Sequence, residues 1–169
     1  ALAQVAADVL AIPYDRVGVV LGDTARTPYS CYGTAVSRGS VTGGAAVLQA
    51  TRALREKLVR VAAHQLEVDE KDLEVLDGQC RVRGAPGRGV SFATLAQESL
   101  RGQNLPDGIE PELAARFTYN PENWTFPYGV HIAAVEVARD TGSVRVLGYW
   151  VAHDCGTMLN PMLVDGQLH

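Results

Sequence analysis

A chain of 169 residues, 47% hydrophobic and 20% charged, has enough apolar material for one ordinary domain with a core. Its net charge of −4 gives no electrostatic pull toward nucleic acid or an anionic membrane, so neither is expected as a partner. No apolar run approaches the roughly 20 residues that a membrane-spanning helix needs, so no membrane span is expected. The first ten residues include Gln4 and Asp8 and no basic leader, unlike a signal peptide. Cys31, Cys80 and Cys155 are odd in number, widely spaced and free of any C-x-x-C pair. That is neither a disulfide framework nor a structural zinc site, and it predicts reduced thiols in a cytoplasmic protein. Both ends fall inside patterned segments rather than polar linkers, so the chain is expected to be a piece of a longer one.

Along the chain, 1–10 reads as a short helix, with Val5 and Val9 at helical spacing and Ile12-Pro13 to stop it. The compact run Val17 to Leu21 predicts a strand, closed by Gly22-Asp23-Thr24. From Ala25 to Gly44 the composition is Gly, Ser, Thr and Tyr, a long loop of the kind that often carries function. The dominant helix follows over about Thr42 to Leu66. Val47, Ala50, Leu54, Leu58, Val61 and Gln65 mark its apolar side, and Arg52, Arg55, Glu56, Lys57 and Arg60 the other.

Leu73 to Leu76 and Cys80 to Arg83 flank Asp77-Gly78 and predict a short hairpin. Ser91 caps a helix to about Leu100, 101–111 is polar connector, and Leu113 to Tyr119 reads as extended. Trp124, Phe126 and Tyr128 cluster at Pro127, which suits core or interface packing better than a lid over a ligand. Val130 to Ala138 and Ser143 to Ala152 are strands joined at Asp140-Thr141-Gly142, and Asn160 caps a last helix with Pro161 in its first turn. The expected fold class is α+β: an antiparallel or mixed sheet with one long central helix, a single subdomain over 1–169.

Two stretches carry candidate chemistry. Gly33 to Ser40 enters the long helix, where unpaired N–H groups and the positive dipole end meet Thr34, the hydroxyls of Ser37, Ser40 and Thr42, and the cationic fork of Arg38. That makes an anion site suited to phosphate, or else a capping loop with a solvated arginine. His153-Asp154-Cys155-Gly156-Thr157 with Asn160-Pro161 is a strand running into a Gly turn and a capped helix, either a second anion site or an ordinary connection. One diphosphate would bridge the two if the fold brings them together. A thiol nucleophile at Cys155 is discounted: Asp154 faces away from His153 on a strand, and a partly buried, inert cysteine is the expectation. His64, His131 and His169 lie far apart in sequence, without H-x-x-x-H spacing.

Several segments, in order, resemble the large subunit of the molybdenum hydroxylases. They are Gln4 to Leu10 with Ile12-Pro13 and Asp15; Gly22-Asp23-Thr24 with Thr27-Pro28-Tyr29; Gly33-Thr34 with Ser37-Arg38; and Asp154-Cys155-Gly156 with Asn160-Pro161 and Gly166-Gln167. Tyr119-Asn120-Pro121 and Thr125 to Gly129 are similar to the aerobic carbon monoxide dehydrogenase branch. The resemblance implies a molybdenum-dependent oxidoreductase that oxidises a small-molecule substrate with oxygen from water. It implies molybdopterin cytosine dinucleotide carrying molybdenum, with iron–sulfur and FAD on partner subunits, and the rest of the large subunit as a further partner.

By the same resemblance, Thr34, Ser37, Arg38 and Ser40 form one cofactor-contacting stretch, and Asp154, Cys155, Gly156, Thr157, Asn160 and Gln167 a second. The chain departs from the family at Val36, where a glycine is usual, at Ala35, often aromatic, and in an extra residue around Ser30 to Tyr32. The family's Gly-Gln-Gly segment, its active-site loop and its base glutamate match nothing in 1–169. No catalytic residue and no metal ligand is therefore assigned, and the isolated chain is expected to be inactive. The alternative is a free-standing anion- or nucleotide-binding module without catalysis.

Overall fold

The computed structural model describes residues 1–29, 33–35 and 38–169. They fall into two compact units, Ala1–Pro121 and Glu122–His169. Helices and small antiparallel sheets alternate, as the α+β expectation requires.

The first unit is organised by its helices. α1 (Leu2–Leu10) buries Ala3 and Ala7, four residues apart and so on one face, and packs on the second helix, α2 (Ala45–Leu66). Ala11 turns left-handed at φ 49°, the Ile12 N–H closes on the Ala7 carbonyl at 3.0 Å, and Pro13 cannot continue the helix. α2 is entered through a π-helical turn, Gly39–Gly44. Three glycines in that turn explain why the regular helix starts at Ala45 rather than near Thr42.

Leu58, Val61, Ala62 and Ala63 of α2 form the buried cluster with Leu73, Cys80 and Leu95. Leu73 and Cys80 come from a three-stranded sheet, β1 (Leu73–Leu76), β2 (Gln79–Val82) and β3 (Ala85–Ser91), antiparallel in that order. Asp77 and Gly78 both hold positive φ, 50° and 70°, as a two-residue hairpin demands. β3 contains Pro86, Gly87 and Gly89 and has no strand signature of its own. Leu95 lies on α3 (Phe92–Leu100), whose cap is Ser91, its hydroxyl accepting from the Thr94 N–H at 3.0 Å.

The strand expected over Val17 to Leu21 is not formed. Among the described residues this stretch pairs with no other strand, and Val19, Val20 and Leu21 are exposed. A β-branched run fits a pleated, half-buried surface, but a strand also needs a neighbour for its backbone groups. The segment 113–119 likewise joins no sheet.

The second unit is a long two-stranded ribbon, β4 (Tyr128–Val137) and β5 (Val144–Asp154), followed by α4 (Pro161–Leu168). Its turn falls where Asp140-Thr141-Gly142 was expected, with Gly142 at φ 70°. The register pairs Tyr128 with Asp154 and Val137 with Val144, shifting by one residue between Ala134 and Val135. Alternation puts Tyr128, Val130, Ile132, Trp150 and Ala152 on one face. The other face carries His131, Ala133, Tyr149 and Val151, and both faces are largely exposed. Trp124, Phe126 and Tyr128 are exposed as well, so of the core or interface packing expected the core alternative does not hold.

Candidate functional site

The entry to α2 holds the first stretch. Gly33 is left-handed at φ 56°, and the chain then passes through exposed Thr34 and Ala35 to Arg38, which begins the helical turn. Ser37 lies outside the described residues. Arg38 directs one guanidinium nitrogen back to the Gly33 carbonyl at 3.5 Å, the outer limit for a hydrogen bond, closing the loop across five residues. Thr42 Oγ1 donates to the Arg38 carbonyl at 2.8 Å. Its proton is therefore committed to the helix, and Thr42 offers an anion no donor, unlike the sequence expectation. Ser40 is exposed within the π-helical turn, where no side chain among the described residues caps the backbone N–H groups. Among the described residues a Cβ placed on Gly33 or Gly39 would meet nothing within 4 Å.

The second stretch runs from the end of β5. Asp154 closes the strand, and its Oδ1 accepts from the Gly156 N–H at 2.9 Å, bending the chain through Gly156 at φ 71°. Asn160 caps α4, its Oδ1 accepting from the Leu163 N–H at 3.3 Å, with Pro161 at the first helical position as expected. Asp154, Cys155, Gly156, Thr157 and Asn160 are thus consecutive parts of one turn leading into one helix start. Gln167 is not. It sits in the last turn of α4, about 10 Å along the axis from Asn160. A single phosphate at the start of α4 would not reach it.

Cys155 is exposed, a correction to the partly buried thiol expected, because it follows the strand rather than ending it. Cys80 is the buried thiol. Burial pushes it up to about 11, outweighing the opposing pull of Arg55, so it stays protonated and inert at neutral pH. Among the described residues no group of three or more His, Cys, Asp or Glu side chains could hold a metal ion. No helix there is long and apolar enough to cross a membrane.

Sequence reasoning missed one association. His131 and His153 share a face of the ribbon, since Gly129 pairs with His153 and His131 pairs with Val151. The hairpin register implied by the Asp140–Gly142 turn was the signal that could have found them.

Each stretch has donors suited to an anion: Arg38 with the hydroxyls of Thr34 and Ser40 in the first unit, and Thr157 with the capped start of α4 in the second.

Comparison with known proteins matches residues 1–169 to the family described as the molybdopterin cofactor-binding domain. The chain is 37% identical over 167 residues to the carbon monoxide dehydrogenase large chain of Hydrogenophaga pseudoflava, covering 99% of this chain and 20% of that one. It is 39% identical over 168 residues to the nicotine 6-hydroxylase large subunit of Paenarthrobacter nicotinovorans, with the same coverage. Its fold superposes on the crystal structure of the Cu,Mo-CO dehydrogenase with a TM-score of 0.79 and 38% identity, covering 99% of this chain and 21% of that one. The chain therefore spans about a fifth of the length of the relatives it matches.

Proposed function

The chain belongs to the molybdopterin cofactor-binding domain family, and from that premise we propose that it is the cofactor-contacting part of the large subunit of a molybdenum hydroxylase of the carbon monoxide dehydrogenase kind. The observation that carries this reading is a coincidence of place. The glycine-containing start of α2 and the capped start of α4 are the two stretches whose motifs resemble the family's cofactor contacts.

In this reading the whole of 1–169 acts as one cofactor-contacting subdomain. Arg38 holds a pyrophosphate by a charge-assisted hydrogen bond, beside the hydroxyls of Thr34, Ser37 and Ser40. Asp154, Cys155, Gly156 and Thr157, with Asn160 at the start of α4 and Gln167 in its last turn, form a second cofactor-contacting stretch. The ligand is molybdopterin cytosine dinucleotide, which supplies the molybdenum centre at which a small substrate is oxidised with oxygen from water. The residues of this chain bind and orient it. Catalytic groups, the remainder of the large subunit, and flavin and iron–sulfur subunits complete a cytoplasmic enzyme, and the isolated chain has no turnover.

Replacing Arg38 in the full-length protein that carries this sequence tests the reading. Arg38→Ala should lower molybdenum and cytosine nucleotide per subunit, corresponding to roughly 10- to 150-fold in affinity, while the apo fold is unchanged. Arg38→Lys should recover part of the loading, since a point charge cannot reproduce a bidentate contact. Arg101→Ala, on an exposed residue after α3, should leave loading intact. Equal loading in wild type and Arg38→Ala would remove Arg38 from the site.

A further inference from the structure

The space above Gly129 is surrounded by electron-pair donors. A Cβ placed there would find His153 Nδ1 at 3.4 Å, the Ala152 carbonyl oxygen at 3.5 Å and His131 Nε2 at 3.8 Å as its three nearest neighbours. All three are nitrogen or oxygen, and a Cβ at position 129 would stand in van der Waals contact with them. His131 has a further fixed partner. Its Nδ1 lies 3.0 Å from the Tyr149 hydroxyl, and the two rings meet edge to face with centroids 5.8 Å apart. The Tyr149 hydroxyl can take either role in this hydrogen bond; in the tautomer where Nδ1–H donates to it, Nε2 presents its lone pair toward the space above Gly129.

We propose that His131 Nε2, His153 Nδ1 and the Ala152 carbonyl form a binding site for a divalent transition-metal ion of the zinc, nickel or copper class. Imidazole nitrogen with one neutral oxygen matches the preference of those ions and not that of magnesium or calcium, which take oxygen donors. With only two side-chain ligands the site is an open one, and water or a partner's group completes the shell. It is separate from the cofactor-contacting turn: strand alternation puts His131 and His153 on the face of the ribbon opposite Tyr128 and its pair Asp154.

Titration of the full-length protein with Zn²⁺, and separately with Cu²⁺, in competition with a chromophoric chelator tests the site. One saturable equivalent per subunit should be lost in the double variant His131→Ala/His153→Ala. Each single variant should weaken binding about tenfold or more, and Tyr149→Phe, which removes only the outer hydrogen bond, by roughly tenfold. Gly129→Ala should weaken it too, by closing the space while keeping both imidazoles. His64→Ala, on an exposed helical histidine outside the site, should change nothing. With Cu²⁺, electron paramagnetic resonance should show coupling to two imidazole nitrogens, a signature that a merely structural role for the histidines would not give. If wild type and double variant bind alike, or if no such equivalent exists and the copper spectrum lacks the two nitrogens, the proposal is overturned.

Discussion

Cys80 has no exposed surface, and its thiol is held at about 11, against an ordinary value near 9. Because the folded value is raised, the native state holds this proton more tightly than the unfolded one. The associated stability is complete below about pH 9 and is lost as the pH climbs through about 11. Two units correspond to about 3 kcal/mol at most. Denaturant unfolding of wild type and Cys80→Ala across pH 8 to 11 should therefore show the difference between them shrinking in that interval; a constant difference would mean that the thiol does not ionise on unfolding. At this scale the caps Ser91 and Asn160 were legible, since a cap is a local bargain between one oxygen and an N–H a few residues on. The hydroxyl of Thr42 was not: sequence shows a donor near a helix start, and only geometry shows it turned back on the Arg38 carbonyl.

Among elements, the sheet of the first unit depends on two small details. Ser91 ends β3 and caps α3 at once, so Ser91→Ala should cost about 1 kcal/mol, measured as a lower denaturation midpoint. Gly89 is the stricter position. A Cβ there would stand 2.8 Å from the Cys80 carbonyl oxygen, so Gly89→Ala should destabilise by more than the loss of the cap, through the shift it forces between β2 and β3. Equal effects of the two changes would contradict this crowding. The periodicity of α2 and the turn at Asp77-Gly78 were readable because both rest on near neighbours in the chain. The stretch 17–21 was misread and strand β3 went unassigned for opposite reasons: one has the composition of a strand and no neighbour among the described residues, the other has a neighbour and the composition of a loop.

For the whole chain, the buried cluster belongs entirely to the first unit, while the ribbon of the second is exposed along nearly its full length. Two-stranded ribbons are marginal alone in water. Hydrogen exchange on the isolated 169-residue chain should accordingly find the amides of α2 near Val61 the most protected and those of β4 and β5 exchanging far faster, and equal protection would show the ribbon to be self-sufficient. The α+β class and the order of both candidate stretches were legible over this whole length; the ribbon's lack of cover was not, because apolar alternation says what a strand would bury and not what buries it.

That uncovered ribbon has a consequence for biosynthesis. In synthesis the segment Ala1–Pro121, which contains the buried cluster, leaves the ribosome ahead of the ribbon. The ribbon follows with Val130, Ile132, Val146, Tyr149 and Trp150 exposed, and among the described residues no further strand pairs with either of its edges. Until it is covered, it is the segment of this chain that a chaperone would hold, and the one through which chains made together would adhere to one another.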